Sequence, residues 1–351
     1  MLQIMSSPTG LSFEHIRHRP PHHLAGPREL VVACPAFRSK VNLSNIVRTC
    51  GCFGIRHLIT WDLFTLIGWG ITLRNNLMAK NFSFDSLDIV LPKRPTESHK
   101  GLYGRVAIIA GSKGMGGAGI LASEASLFCG SGLINLYTHN SNVQASLERN
   151  PEIMAIGVES HERVKGNFDV ILIGPGFRAN KWSKEISKCM SLNAPNGLII
   201  DAGALSQTKI IQSQNNKNLI LTPHPGEAGS LLGISAEEVQ LNREHSAIAI
   251  AEKYDASVVV LKGFNTLVYI KSEDKTFICE NGGPELATGG TGDILAGIIS
   301  ALLAQNLPLK ESCLLAVASH AKAGENFVED VGEIGLNASS LIPMVRKILN
   351  K

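Results

Sequence analysis

The residues best suited to chemistry fall between positions 287 and 297, where Gly289, Gly290, Gly292 and Gly297 are interleaved with Thr288, Thr291 and Asp293, just ahead of an apolar helical pattern. Glycine lets successive backbone N–H groups turn to one side, and a helix N-terminus adds partial positive charge. Together they make a cradle for an anion such as a phosphoryl group in transfer. Asp293 is the sole acid in that loop. It is either a helix cap or a general base, and the glycine density around it favours the base.

A second glycine-rich turn, residues 111–119, follows an apolar run and opens a helical pattern. It lacks the acid some 20 residues on that a dinucleotide fingerprint needs, since Asn135 to Thr138 contains none. Lys113 precedes the glycines, which excludes a Walker A loop. Close backbone approach to a ligand, or tight helix packing, remains. Three further loops follow apolar runs: Gly174-Pro175-Gly176, residues 222–227 with His224 between Pro223 and Pro225, and residues 262–266 (Lys262, Gly263, Phe264, Asn265, Thr266). The flanking prolines argue that His224 sits in a fixed loop. Arg149, Asn150, Pro151 and Glu152 read as a polar turn. No HExxH and no Cys/His quartet marks a metal site.

The elements that must position these loops are legible as short apolar runs at 106–110, 133–137, 170–173, 198–200, 219–221 and 258–261, separated by helical patterns of which 120–129 and 294–304 are the clearest. Strands alternating with helices predict an α/β fold with a mainly parallel sheet covered on both faces, its ligand site beyond the carboxyl ends of the strands. A length of 351 residues with 44% hydrophobic and 18% charged residues is ample for a large core and excludes a disordered chain. The apolar stretch 58–73 contains Asp62, Gly68 and Gly70 and is too short to span a bilayer, so no membrane partner is expected.

The net charge of +3 is unevenly spread. Residues 1–77 carry eight Lys and Arg against three acids, whereas the remainder is close to neutral. Residues 1–28 hold Pro20, Pro21, Gly26 and Pro27 without an apolar period and read as a flexible arm. A partial α/β unit occupies 29–60, with strands at 30–33 and 58–59 and a helix at 43–49. Residues 61–79 read as a linker, and a continuous α/β domain fills 80–351. The seven cysteines are odd in number and scattered, with no signal-peptide pattern, as in a cytoplasmic protein with reduced thiols.

From about Leu91 to the C-terminus these motifs, in this order, resemble the ADP- or ATP-dependent NAD(P)H-hydrate dehydratases of the ribokinase-like superfamily. The resemblance rests on residues 91–94, 99–105, the turn at 111, Pro151-Glu152, Gly174-Pro175-Gly176, Asp201-Ala202, 222–227, Lys262-Gly263, 287–293 and 338–343. It implies a ribokinase-like three-layer sandwich. Ala118, Gly176, His224 and Asp293 would contact the hydrated nicotinamide nucleotide (NADHX or NADPHX). Residues Lys262, Gly263, Phe264, Asn265 and Thr266, with Gly289, Gly290, Thr291 and Gly292, would hold ADP or ATP. It also implies Mg²⁺ and a homo-tetramer; no residue is assigned as a direct metal ligand, and Glu227 is the candidate to orient the ion through water. Two departures stand out: Phe177-Arg178 follows Gly-Pro-Gly where the family commonly has a small residue and Gly, and His320-Ala321 replaces a late His-Gly pair.

Residues 30–59 resemble the first strand and helix of SpoU-type RNA 2′-O-ribose methyltransferases, a likeness that implies Asn42 and Arg48 at an RNA ribose. The C-terminal motifs that build that family's methyl-donor pocket are absent from this sequence, so methyl transfer is not expected. A truncated remnant upstream of an enzyme that could begin at Met78 is the simpler reading. Two alternatives to the dehydratase stand beside it. A kinase of a small alcohol such as a vitamin precursor would use the same cradle and base. A basic RNA-binding adaptor built on residues 1–77 would show salt-sensitive RNA affinity.

Overall fold

The structure, a computed structural model, describes residues 79–213 and 218–350, together with the backbone of three short strands nearer the N-terminus. The chain divides into two compact units, residues 1–76 and 77–351. In the first unit, β1 (Gln3–Met5) pairs antiparallel with β2 (Val31–Cys34), which pairs in parallel with β3 (His57–Thr60). β1 falls within the stretch read from sequence as a flexible arm. The predicted helix at 43–49, with Asn42 and Arg48, lies outside the described residues.

The second unit is built on a ten-stranded sheet. In chain order its strands are β4 (Lys80–Phe82), β5 (Arg105–Ile109), β6 (Leu133–Thr138), β7 (Met154–Gly157), β8 (Val170–Ile173), β9 (Gly197–Ile200), β10 (Leu219–Leu221), β11 (Val258–Leu261), β12 (Leu267–Ile270) and β13 (Lys275–Cys279). The spatial order is β4-β13-β12-β11-β10-β9-β8-β5-β6-β7. β12 runs antiparallel to both neighbours, and all other pairs are parallel. The six strands read from sequence are the central ones because they are covered on both faces and so carry apolar runs, most completely in β8, β9 and β11, every residue of which is buried. β4, β7, β12 and β13 were not legible as strands. β4 and β7 are edge strands with mixed exposure, and β12 and β13 form a hairpin.

Helices cover both faces. Alternate residues of β5 divide between two cores: Val106 and Ile108 face α1 (Gly116–Phe128), α8 (Thr291–Ala304), α9 (Leu309–Asp330) and α10 (Ala338–Leu349), whereas Ala107 and Ile109 face the opposite layer. Between α1 and α8 the chain contributes α2 (Val143–Arg149), α3 (Lys181–Ile186), α4 (Thr208–Gln212), α5 (Pro225–Leu232), α6 (Ala236–Leu241) and α7 (Arg243–Tyr254). The result is the three-layer α/β arrangement expected. β5 has β6 on one side and β8 on the other, so the chain order reverses there and opens a crevice at their carboxyl ends. Among the described residues no helix is long and apolar enough to cross a membrane.

Candidate active site

The glycine-rich loop ends in α8. Its N-cap is Gly290, in the left-handed region at φ 95°, where a methyl would lie 2.7 Å from Leu121 Cδ1 and 3.0 Å from Ala338 Cβ. Gly290 therefore serves the fold: it lets the loop turn into the helix while pressed between α1 and α10. Gly289 and Gly292 differ. Nothing lies within 4 Å of a methyl on Gly289, and one on Gly292 would meet only Lys262, at 3.5 Å from Nζ. Their open sides face no protein atom that demands glycine. The first amides of α8 have no intrahelical acceptor and remain available to an anion.

Thr291 was expected to hold nucleotide, but its hydroxyl lies 3.0 Å from the carbonyl oxygens of both Leu286 and Thr288 and fastens the loop. Only its backbone is left to face a ligand. Behind the loop, Glu325 accepts hydrogen bonds from Gly282 N–H and Asn281 Nδ2, each at 3.0 Å, and Glu285 accepts from Gly283 N–H. His320 of α9 packs against the Thr291 backbone, and burial pushes its imidazole down to about 4, so it is neutral. Its Nε2 has no partner among the described residues.

Asp293 is the third residue of α8 and makes no capping hydrogen bond. The capping reading is thereby set aside. Burial, then the neighbouring Asp201 charge, raises its carboxyl to about 7, against the pull of Lys262. Lys262 follows β11. Its Nζ donates to Asp201 Oδ1 at 2.6 Å and lies 3.9 Å from Glu227 Oε2. Burial works against its charge, but the carboxylates of Asp201 and Glu227 hold its pKa above the ordinary lysine value. Burial likewise raises Glu227, whose Oε2 accepts the His224 N–H at 2.8 Å. Asp201 also accepts from Thr222 Oγ1 at 2.7 Å and is 1% exposed. It is a residue for which sequence reading found no chemical role. The signal was an acid closing an apolar strand, β9, in a sheet whose strand ends carry the site.

The crevice at the sheet reversal holds the substrate-side candidates. Gly111 N–H donates to Pro175 O at 2.9 Å and Ser112 N–H to Gly176 O at 3.0 Å, which locks the two glycine turns together. Gly176 has φ 67°, and a methyl there would lie 2.6 Å from Met115 O and 3.0 Å from Ala118 Cβ. Ala118 and Gly176 are thus brought into contact, and α1 carries Leu121 on to Gly290 of the cradle. The unusual Phe177 is buried and packs edge-on against Trp182, with ring centroids 5.4 Å apart. Arg178 is exposed, and its Nη2 lies 3.2 Å from Met115 Sδ.

His224 is the N-cap of α5, its Nδ1 accepting from the amides of Gly226 and Glu227, with Pro225 as the first helical residue. Its side chain is 56% exposed and open to a ligand. The 262–266 loop splits by role. Lys262 turns inward to the acid cluster, whereas Gly263, Phe264 and Asn265 are exposed, Phe264 at 77%. Arg243 Nη2 fastens this loop by donating to Leu261 O at 2.9 Å. Arg149 pairs with Glu124 at 2.8 Å and is not part of the cluster. Among the described residues no group of three His, Cys, Asp or Glu side chains is placed to hold a metal by itself. The four described cysteines are free and buried.

A helix-borne amide cradle, a buried acid beside it and a lysine between acids, at the strand ends of a three-layer sheet, define a ribokinase-like α/β protein whose cradle has the chemistry to accept an anion. Residues 106–347 match the NAD(P)H-hydrate dehydratase family, and the chain belongs to that family. It is 40% identical over 266 residues to the bifunctional NAD(P)H-hydrate repair enzyme of Coxiella burnetii, which covers 74% of this chain and 53% of that one. The chain thus spans about half the length of the bifunctional relatives. It is 37% identical over 249 residues to the ADP-dependent (S)-NAD(P)H-hydrate dehydratase of Staphylococcus aureus, covering 69% and 88%. The Bacillus subtilis ADP/ATP-dependent NAD(P)H-hydrate dehydratase, co-crystallised with ATP/Mg²⁺, superposes with a TM-score of 0.71 at 28% identity, covering 78% of this chain and 99% of that one. The family match does not reach the N-terminal unit and gives the methyltransferase likeness no support.

Proposed function

We propose that this chain is an ADP-dependent (S)-NAD(P)H-hydrate dehydratase. The observation that carries the reading is Asp293: a carboxyl uncommitted to capping, raised to about 7, at the rim of an amide cradle whose outer glycines meet no protein atom that requires them. Such a group takes a proton from an alcohol near neutral pH. In the reaction Asp293 removes the C6 hydroxyl proton of the hydrated nicotinamide as that oxygen attacks the terminal phosphoryl of ADP. The anhydride P–O bond breaks and AMP leaves. The α8 amides stabilise the charge on the transferring oxygens. The C6–O bond of the phosphate ester then breaks, driven by the ring nitrogen lone pair, and loss of a C5 proton restores the dihydronicotinamide.

Ala118, Gly176 and His224 bind the hydrated nucleotide, and residues 263–266 with Gly289 and Gly292 bind ADP. The donor set suits Mg²⁺ carried by the nucleotide: among the described residues no three carboxylate or imidazole groups are placed to hold the ion alone, and Mg²⁺ retains its waters. Glu227 would hold one of those waters, and the ion would supply counter-charge to the phosphates. The enzyme acts in the cytoplasm as a homo-tetramer, which light scattering would test. The activity is tested by mixing the protein with NADHX, Mg²⁺ and either ADP or ATP and following the near-ultraviolet dihydronicotinamide band. Its return with ADP supports the reading. No return with either nucleotide, from a protein that still binds them, would favour the kinase.

A further inference from the structure

Lys262 is placed differently from the rest of its loop. Its backbone N–H donates to Pro223 O at 2.9 Å, and its side chain runs inward, 17% exposed, to end beside Gly292 of α8. One ammonium proton goes to Asp201 Oδ1. Glu227, at 3.9 Å, is beyond hydrogen-bond distance, so two donors remain without a partner among the described residues. Asp201 is itself held. Thr222 Oγ1 donates to the same Oδ1, Asp201 N–H donates to Ile173 O at 3.0 Å, and the next residue, Ala202, takes the rare φ of 48°. Non-glycine residues sit there only where the surroundings impose it, and such positions cluster at functional sites.

We propose that Asp201 is a positioning residue that holds the Lys262 ammonium against the first turn of α8, where its two remaining donors meet the phosphoryl group as it is transferred. The inference rests on the function proposed above. It assigns the Lys262 side chain to the transferring phosphate rather than to the adenosine part of the nucleotide. It also accounts for a largely buried lysine and a buried aspartate being kept where an apolar pair would pack at lower desolvation cost. Lysine serves here as a point charge that follows the moving phosphoryl. Asp201 keeps it from pairing with Asp293 and neutralising the base.

The test uses the full chain with Lys262→Met and Asp201→Asn. In single turnover, Lys262→Met is expected to lower the rate about 100-fold or more, as for loss of one transition-state donor. ADP affinity should weaken while AMP, which lacks the transferred group, binds as before. Asp201→Asn should cost about 10-fold or more, and nothing further once Lys262 is Met. The acid limb of the rate profile gives a readout that a structural role would not move. Asp293 is faced by Asp201 just past β9, Lys262 just past β11 and Glu227 from α5, with the neutral His320 behind its turn on α9. Removing Asp201's charge shifts the limb to lower pH, and removing Lys262's shifts it to higher pH. Should Asp201→Asn not fold, Thr222→Val loosens the same oxygen and should give a smaller loss in the same direction. A wild-type rate in Lys262→Met, equal weakening of AMP and ADP, or a limb that stays fixed in both variants would overturn the inference. A wild-type protein that fails to restore dihydronicotinamide refutes the function itself, whereas the AMP and ADP affinities of Lys262→Met still read the lysine's role.

Discussion

Alanine at Gly290 and at Gly292 should separate what the glycine loop does for the fold from what it does for the ligand. At Gly290 the new methyl is forced into φ 95° and meets Leu121 Cδ1 at 2.7 Å. The left-handed backbone costs about 1–2 kcal/mol and the overpacking about 1–3 kcal/mol. Together these lower Tm by roughly 4–15 °C in a domain of this size. At Gly292 the methyl is in ordinary contact at 3.5 Å, in a right-handed helical turn, and alanine gains up to about 1 kcal/mol of helix propensity. That variant should melt at or above the wild-type temperature. Its methyl nevertheless stands at the mouth of the cradle, and displacing the phosphoryl by about 1 Å costs on the order of 100-fold in kcat. Differential scanning calorimetry with a steady-state dehydratase assay reads both quantities. A Gly292→Ala enzyme with wild-type kcat would refute the cradle, and one that unfolds several degrees early would refute the geometry of the loop.

Because the Asp293 base works only as carboxylate, kcat/KM should rise through about pH 7 to a plateau, and Asp293→Asn should abolish turnover while leaving ADP binding intact by calorimetry. A carboxyl whose folded pKa is raised destabilises the protein above that pKa and not below the unfolded value, so Asp293→Asn should raise Tm at pH 8 and leave it unchanged near pH 4. His224→Asn should keep the α5 cap, since asparagine accepts the same amide bonds, and hold Tm within about 2 °C while raising KM for the hydrated nucleotide. An equal loss of Tm and activity would reduce His224 to a cap. A chain starting at Met78 should match the full chain in kcat/KM, and RNA binding that disappears with residues 1–77 would instead assign that unit a separate role.

The buried parallel strands, the two glycine turns and Asp293 were legible in the sequence because each rests on local chemistry: unbroken apolar runs for strands covered on both faces, and glycine where the backbone must turn or be approached. The edge strands β4 and β7 were not, since half-exposed strands lack that signal. Thr291 and Lys262 looked alike from sequence as nucleotide contacts. The fold turns the Thr291 hydroxyl back onto its own loop and the lysine inward to an acid 61 residues away. Asp201 had no visible role until parallel pairing of β9 and β10 set it beside Thr222 and near the end of β11. By itself the sequence determined which residues were chemically able. Tertiary structure decided which acid is raised, which cation it faces and which glycines serve the fold, because those properties depend on burial and on charges brought together from strand ends far apart in the chain.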